Sequence, residues 1–192
     1  MKRDEEDREA EADRQTLAAR WPRALIEQGT AHALAARWTT SRRAAIAAGR
    51  PPFARHPLTP ELASALFEVR RSRRLVRGLE AAEEALAAQS LGVRRAVPGP
   101  DATPSKSPGR ISRLMLVSSD GSDRFYRNIS QIIRKYGETL EVLVLLCDEL
   151  DLGATAFGGG QRVRALLVEH KEAVVHVLGC LGEFDEHAPS GD

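Results

Sequence analysis

Between Thr139 and Cys147 the chain reads TLEVLVLLC, nine residues with a single charge. A run that short and apolar has no solvent-facing alternation, so it reads as a strand covered on both faces. Two further runs behave the same way. ISRLMLVSS (111–119) and QRVRALLVE (161–169) each precede a helix-like pattern. SDRFYRNISQIIRKYG places Phe125, Ile129, Ile132 and Ile133 on one side and stops at Gly137. HKEAVVHVLGCL supplies the last helix, and DELDLGATAF reads as a short helix broken at its glycine. Strands alternating with helices predict a three-layer α/β/α sandwich with a mixed central sheet.

Upstream, LTPELASALFEVRR reads as a helix, with Thr59 as N-cap and Pro60 in the first turn. RRLV suggests a short strand, and Gly78 turns the chain into the helix LEAAEEALAAQSL. This domain spans 59–183. GVRRAVPGPDATPSKSPGR (92–110), with four prolines and three glycines, reads as a mobile loop inside it. Residues 184–192 form a polar tail. Residues 1–14 carry charge without an apolar stripe and read as disordered. Residues 15–50 read as an N-terminal helical extension holding Leu17, Trp21, Leu25 and Ile26 at helical spacing, and 51–58 as a proline-rich linker.

Charge is strongly segregated although the net charge is only +1. Asp4 to Asp13 holds seven acids, whereas Arg37 to Arg77 holds ten arginines against Glu61 and Glu68. Such asymmetry points to a polyanionic partner. RRSRR (70–74) is its densest part: Arg70, Arg71, Arg73 and Arg74, extended by Arg77. Each guanidinium can grip a phosphate in a bidentate fork, and one cation would already complement the helix dipole. Other chemistries find little. Cys147 and Cys180 read as buried small hydrophobes. His170 and His176 are six apart, a poor same-face metal spacing on a helix. A nucleophilic serine would need a base that no pattern brings to it, and FGGGQR lacks the Gly-Lys-Ser/Thr of a phosphate loop. The expectation is therefore no enzyme, no cofactor and no metal. No run reaches the roughly 18 apolar residues of a membrane span. The charged start has no secretory h-region, so a cytoplasmic protein is expected.

Four landmarks, in order, resemble the ribosomal protein family L-seven-Ae and its relatives L-thirty-e and the Gadd proteins, over about residues 57–183. They are LFEVRRSRRLVRG ending at Gly78, LVSSDGS with Asp120 and Ser122, LGATAFG with Leu152, Gly153 and Gly158, and VRALLVEHKEAVVHVL. The resemblance implies a kink-turn RNA-binding fold, as in a ribosome or other ribonucleoprotein particle. It places RNA contacts at Gly78, Glu80, Asp120, Gly121, Ser122, Gly158, Gly159, Gly160 and Arg162, beside the arginine patch. The second helix departs from the family pattern. GLEAAEE has Leu79, Glu80 and Ala81 where the family carries Thr-Asn-Glu, and Glu84 where it carries Lys. An anion there repels phosphate. Structured RNA is the expected partner. The alternative is a protein–protein interaction module on the same fold, with residues 15–50 as the partner-binding element. Ser119, Asp120 and Ser122 are expected first of all to cap the helix that follows them.

Overall fold

The computed structural model describes residues 2–95 and 109–181. Five strands form one sheet: β1 (Ala54–His56), β2 (Leu75–Arg77), β3 (Arg113–Ser118), β4 (Leu140–Leu145) and β5 (Ala165–Val168). Their order is β1-β4-β3-β5-β2. β1 and β3 flank β4 in parallel, with Arg55 opposite Val144 and Leu116 opposite Leu143. β5 runs antiparallel to β3 and to β2, so the sheet is mixed.

The helices are α1 (Lys2–Arg20), α2 (Arg23–Glu27), α3 (Ala31–Ala47), α4 (Pro60–Arg71), α5 (Leu79–Arg95), α6 (Asp123–Tyr136), α7 (Glu149–Phe157) and α8 (Lys171–Gly179). Strand alternation sorts the core into two layers. Leu114, Leu116, Leu143, Leu145, Leu166 and Val168 pack under α1–α4, α7 and α8. Met115, Val117, Val142, Val144 and Leu167 pack under α5 and α6. This is the expected α/β/α sandwich. No helix among the described residues is long and apolar enough to cross a membrane.

The N-terminal region departs from the sequence expectation in three ways. Residues 2–14 are the first part of α1, not a disordered lead-in. Their Glu, Arg and Ala content favours helix, Ala10 is buried, and Glu11 bonds both Arg14 and Gln15. Residues 51–58 are not a linker, because Ala54–His56 forms the edge strand β1 beside β4. Nor is 15–50 an appendage. Trp21 and Trp38 are fully buried in the same core as Leu62, Leu66 and Leu145, with their rings edge-to-face at 5.2 Å. Two polar contacts fix α3 to the sheet. Arg42 donates to Glu141 at 2.8 Å, where the carboxylate is buried on β4. The Ser41 hydroxyl donates to the Arg55 carbonyl at 3.0 Å and accepts from the Arg55 amide at 2.8 Å.

Three smaller corrections have local causes. α7 runs unbroken through Gly153, which is small because the Gln161 backbone passes where a Cβ would stand. The strand expected over 161–169 is only four residues long. Ahead of it, the Val163 amide bonds the Glu149 carbonyl, which holds that segment against α7. Of the loop expected at 92–110, residues 92–95 end α5, and 96–108 lie outside the described residues, as does the 184–192 tail.

Candidate nucleic-acid interface

The topology brings distant stretches to one end of the sheet. β2, β3 and β4 finish there and β5 begins there. Backbone bonds lace the loops together. The Gly78 amide donates to the Ala165 carbonyl at 2.9 Å, Ser118 to Arg164 at 3.0 Å and Ser119 to Cys147 at 2.9 Å. Gly78, Glu80, Asp120, Gly121, Ser122, Gly158, Gly159, Gly160 and Arg162 all lie at or beside this end.

The hydroxyls and carboxylate after β3 are engaged locally. Ser122 caps α6 by accepting from the Phe125 amide at 3.3 Å. Asp120 accepts from the Ser118 hydroxyl at 2.6 Å and from the Glu149 amide at 3.3 Å, so one carboxylate ties β3 to the first turn of α7. Ser119 donates to the Cys147 carbonyl at 3.1 Å. Gly121 is required by packing, since a Cβ would run into the Phe125 ring. His170 opens α8, which follows the far end of β5, and His176 pairs with Glu68 at 2.8 Å.

The glycines differ in kind. Gly78, Gly158 and Gly160 have φ of 88°, 91° and 82°, a region that glycine enters without strain. Open space surrounds the Cβ position of each. They therefore present bare backbone at the surface, where a phosphate or a base edge can approach closely.

The arginine patch is divided. Arg70 and Arg77 both lie over the Phe157 ring, at 5.2 and 5.6 Å. Arg70 also donates to the Ala156 carbonyl at 3.2 Å, and Arg77 to the Gln161 side chain and the Arg162 carbonyl. Arg77 thus fastens the glycine loop to β2. Arg71 lies over Phe67, Arg74 pairs with Glu172 at 3.0 Å, and exposed Arg73 takes a left-handed φ of 58°. Arg73 and Arg74 stand where β2 begins, about 10 Å of strand from Gly78. The expected contiguous cluster of Arg70, Arg71, Arg73, Arg74 and Arg77 is therefore not formed: only Arg70 and Arg77 reach toward the glycine loop.

Acids crowd the same end. Arg162 and Arg164 are both spent on Glu149, at 3.1 and 2.7 Å. Glu80, Asp120, Asp123, Asp148 and Asp151 remain. Asp148 caps α7 through the Leu150 and Asp151 amides. The Cys147 thiol registers this environment: burial, and after it the charges of Asp151, Asp148 and Asp120, push it up to about 12. Beside the edge, a cavity of about 390 Å³ opens between α5 and α6, lined by Glu80, Glu83, Asn128, Gln131 and Lys135 over Leu79 and Ile132.

Sequence reasoning missed Phe157, Gln161 and Glu149, which organise the glycine loop. Phe157 was visible as the one aromatic beside the glycine run, but its arginine partners lie more than 75 positions away.

No protein-family model and no curated protein matches the chain. Among solved structures, a protein of unknown function from Bacillus halodurans C is similar at 16% identity and a TM-score of 0.43, over 64% of this chain and 98% of that one. The Giardia lamblia 15.5kD RNA binding protein is similar at 14% identity and a TM-score of 0.40, over 65% of this chain and 85% of that one.

Proposed function

We propose that this chain is a non-enzymatic RNA-binding protein that seats a structured RNA on the sheet end formed by Gly78, the Asp120–Ser122 turn and the 158–162 loop, as a component of a cytoplasmic ribonucleoprotein particle such as the ribosome. The observation that carries the reading is the pairing of two glycine turns, half-buried Gly78 and exposed Gly158–Gly160. They lie some 80 residues apart in sequence and are held together by Arg77. Exposed Gly159 and Gly160 beside a guanidinium let a phosphate approach without bulky side chains in the way, while the Gly78 and Gly158 amides are held by the Ala165 and Ala154 carbonyls. Leu79, Glu80 and Glu84 make the reading of a kink-turn different here from that of the resembling family.

A second reading is a protein-interaction module. Leu146 and Leu150 favour it, since they are 40% and 45% exposed beside the same end. Residues 15–50 suit it less, because their large apolar side chains, Ile26 and Ile46 apart, serve this chain's own core.

The test is a titration of a kink-turn RNA, a plain duplex and a single strand at several salt concentrations, with wild type and Arg77→Glu. The expected result is a preference for the structured RNA, weakened by salt and by the substitution. Absence of binding to all three RNAs at moderate salt overturns the reading in favour of the protein module.

A further inference from the structure

Phosphate neutralisation dominates RNA affinity, yet the sheet end is poor in uncommitted cations. Arg162 and Arg164 are paired with Glu149, and five further acids lie nearby. The missing charge stands next door, on the helix that leaves this end. α6 starts immediately after Ser122. At 100° per residue, Arg124, Arg127, Gln131 and Arg134 fall on the side opposite buried Ile129. Their ten-residue span makes a straight track about 15 Å long. All four are exposed.

Two observations separate these cations from the others. Arg42, Arg74, Arg162, Arg164 and Lys135 each have a carboxylate within 4 Å, whereas Arg124, Arg127 and Arg134 have none among the described residues. Their only acidic companion on the helix is Asp123, in its first turn. On the flank of α6 that carries Tyr126 lies Arg55 of β1, half-buried, its Nε shielded from water and without a partner. Burial, and after it the charge of Arg50, push its pKa down. A desolvated guanidinium is a cost that a bound anion offsets.

We propose that the outward stripe of α6, Arg124, Arg127 and Arg134, flanked by Arg55, forms a phosphate track. It grips the backbone of the RNA helix that continues from the sheet end. The inference rests on the RNA reading above and extends it to a face outside the glycine edge. A membrane surface is the less suited polyanion. The apolar side of α6, with Tyr126, Ile129, Ile132 and Tyr136, is buried on the sheet and unavailable for insertion.

The experiment uses the full chain and the double variant Arg127→Glu/Arg134→Glu, which leaves the buried side of α6 untouched, so its thermal midpoint is expected to match wild type. Two RNAs share one structured core, and only one of them carries a flanking duplex. Vesicles rich in phosphatidylserine form a third arm. For the flanked RNA, the slope of log affinity against log salt is expected to fall by about 1.8, two phosphates at roughly 0.9 each. The unflanked RNA is expected to bind both proteins alike. An unchanged slope and affinity for the flanked RNA, with wild type binding well, overturns the track and leaves the sheet-end reading standing. Binding to vesicles but to neither RNA overturns both.

Discussion

Replacing Trp38 with alanine tests whether the first 50 residues belong to the α/β/α core. The side chain is fully buried, packs edge-to-face on Trp21 and shares one apolar cluster with Leu62, Leu116 and Leu143. Burying a tryptophan removes about 150–250 Å² from water, worth roughly 4–6 kcal/mol at 25 cal/mol per Å². The methyl that remains and partial collapse of the cavity bring the expected loss to about 3–5 kcal/mol. At roughly 2–4 °C per kcal/mol for a chain of this size, the thermal midpoint falls by about 6–20 °C. The assay is denaturant unfolding followed by far-UV circular dichroism and, separately, by fluorescence. Trp21 is then the sole tryptophan and reports on the N-terminal helices. One shared core requires both signals to shift together. Ile46→Ala, on the same helix but 54% exposed, is the control and should move the midpoint by less than about 0.5 kcal/mol. A dichroism transition that stays in place while the fluorescence transition moves alone would refute the shared core.

Arg42→Ala leaves Glu141 buried without its guanidinium. The expected loss is about 1.5 kcal/mol, the low end for a charge-assisted hydrogen bond, because Arg42 is 37% exposed. Equilibrium unfolding checks it, and an unchanged midpoint would show that the carboxylate finds another partner. Gly153→Ala, stabilising in most helix interiors, should here cost about 1–3 kcal/mol because the Gln161 backbone occupies the Cβ position. A rise in the melting temperature would contradict that geometry. Stability should also decline on both sides of neutrality. Burial lowers the pKa of His56, so below about 6.5 the unfolded chain binds the proton that the folded chain resists. Cys147 is raised to about 12, so above about 8.5 the unfolded thiol ionises first and stability drops again. A thermal midpoint that is flat from pH 5 to 10 would rule both out. The same protonated thiol should react slowly with iodoacetamide at pH 8.

The second half of the fold was legible because its strands are mostly apolar and β3 and β4 are each followed by a capped helix. Thr59 and Ser122 cap as their positions predicted. The first 58 residues misled because their cues are local while their partners are distant. The prolines around Ala54–His56 suggest a linker, and only Leu143, Val144 and Leu145 make that segment a strand. Trp21 and Trp38 show helical spacing but not what they pack on. The arginine patch is divided for a related reason. Adjacency in RRSRR was taken for adjacency in space, yet a helix end, a left-handed residue and a strand start send Arg71, Arg73 and Arg74 away from the glycine edge. Sequence gave the glycine edge its residues in three separate motifs, whereas the salt bridges that occupy Arg162 and Arg164 depend on where α7 places Glu149.

The Ser41 hydroxyl, bonded to both the amide and the carbonyl of Arg55, has a consequence for how the chain avoids its own copies. β1 is an outermost strand, and an outermost strand offers unpaired backbone groups as a template for another molecule's strand. One side chain from α3 occupies the donor and acceptor of the middle residue, and the helix carrying it covers the rim. The N-terminal helices thereby act as a stopper on one side of the sheet, a role that no contact with RNA or protein would reveal. Their loss would expose that rim to strand addition even where the remaining sandwich kept its shape.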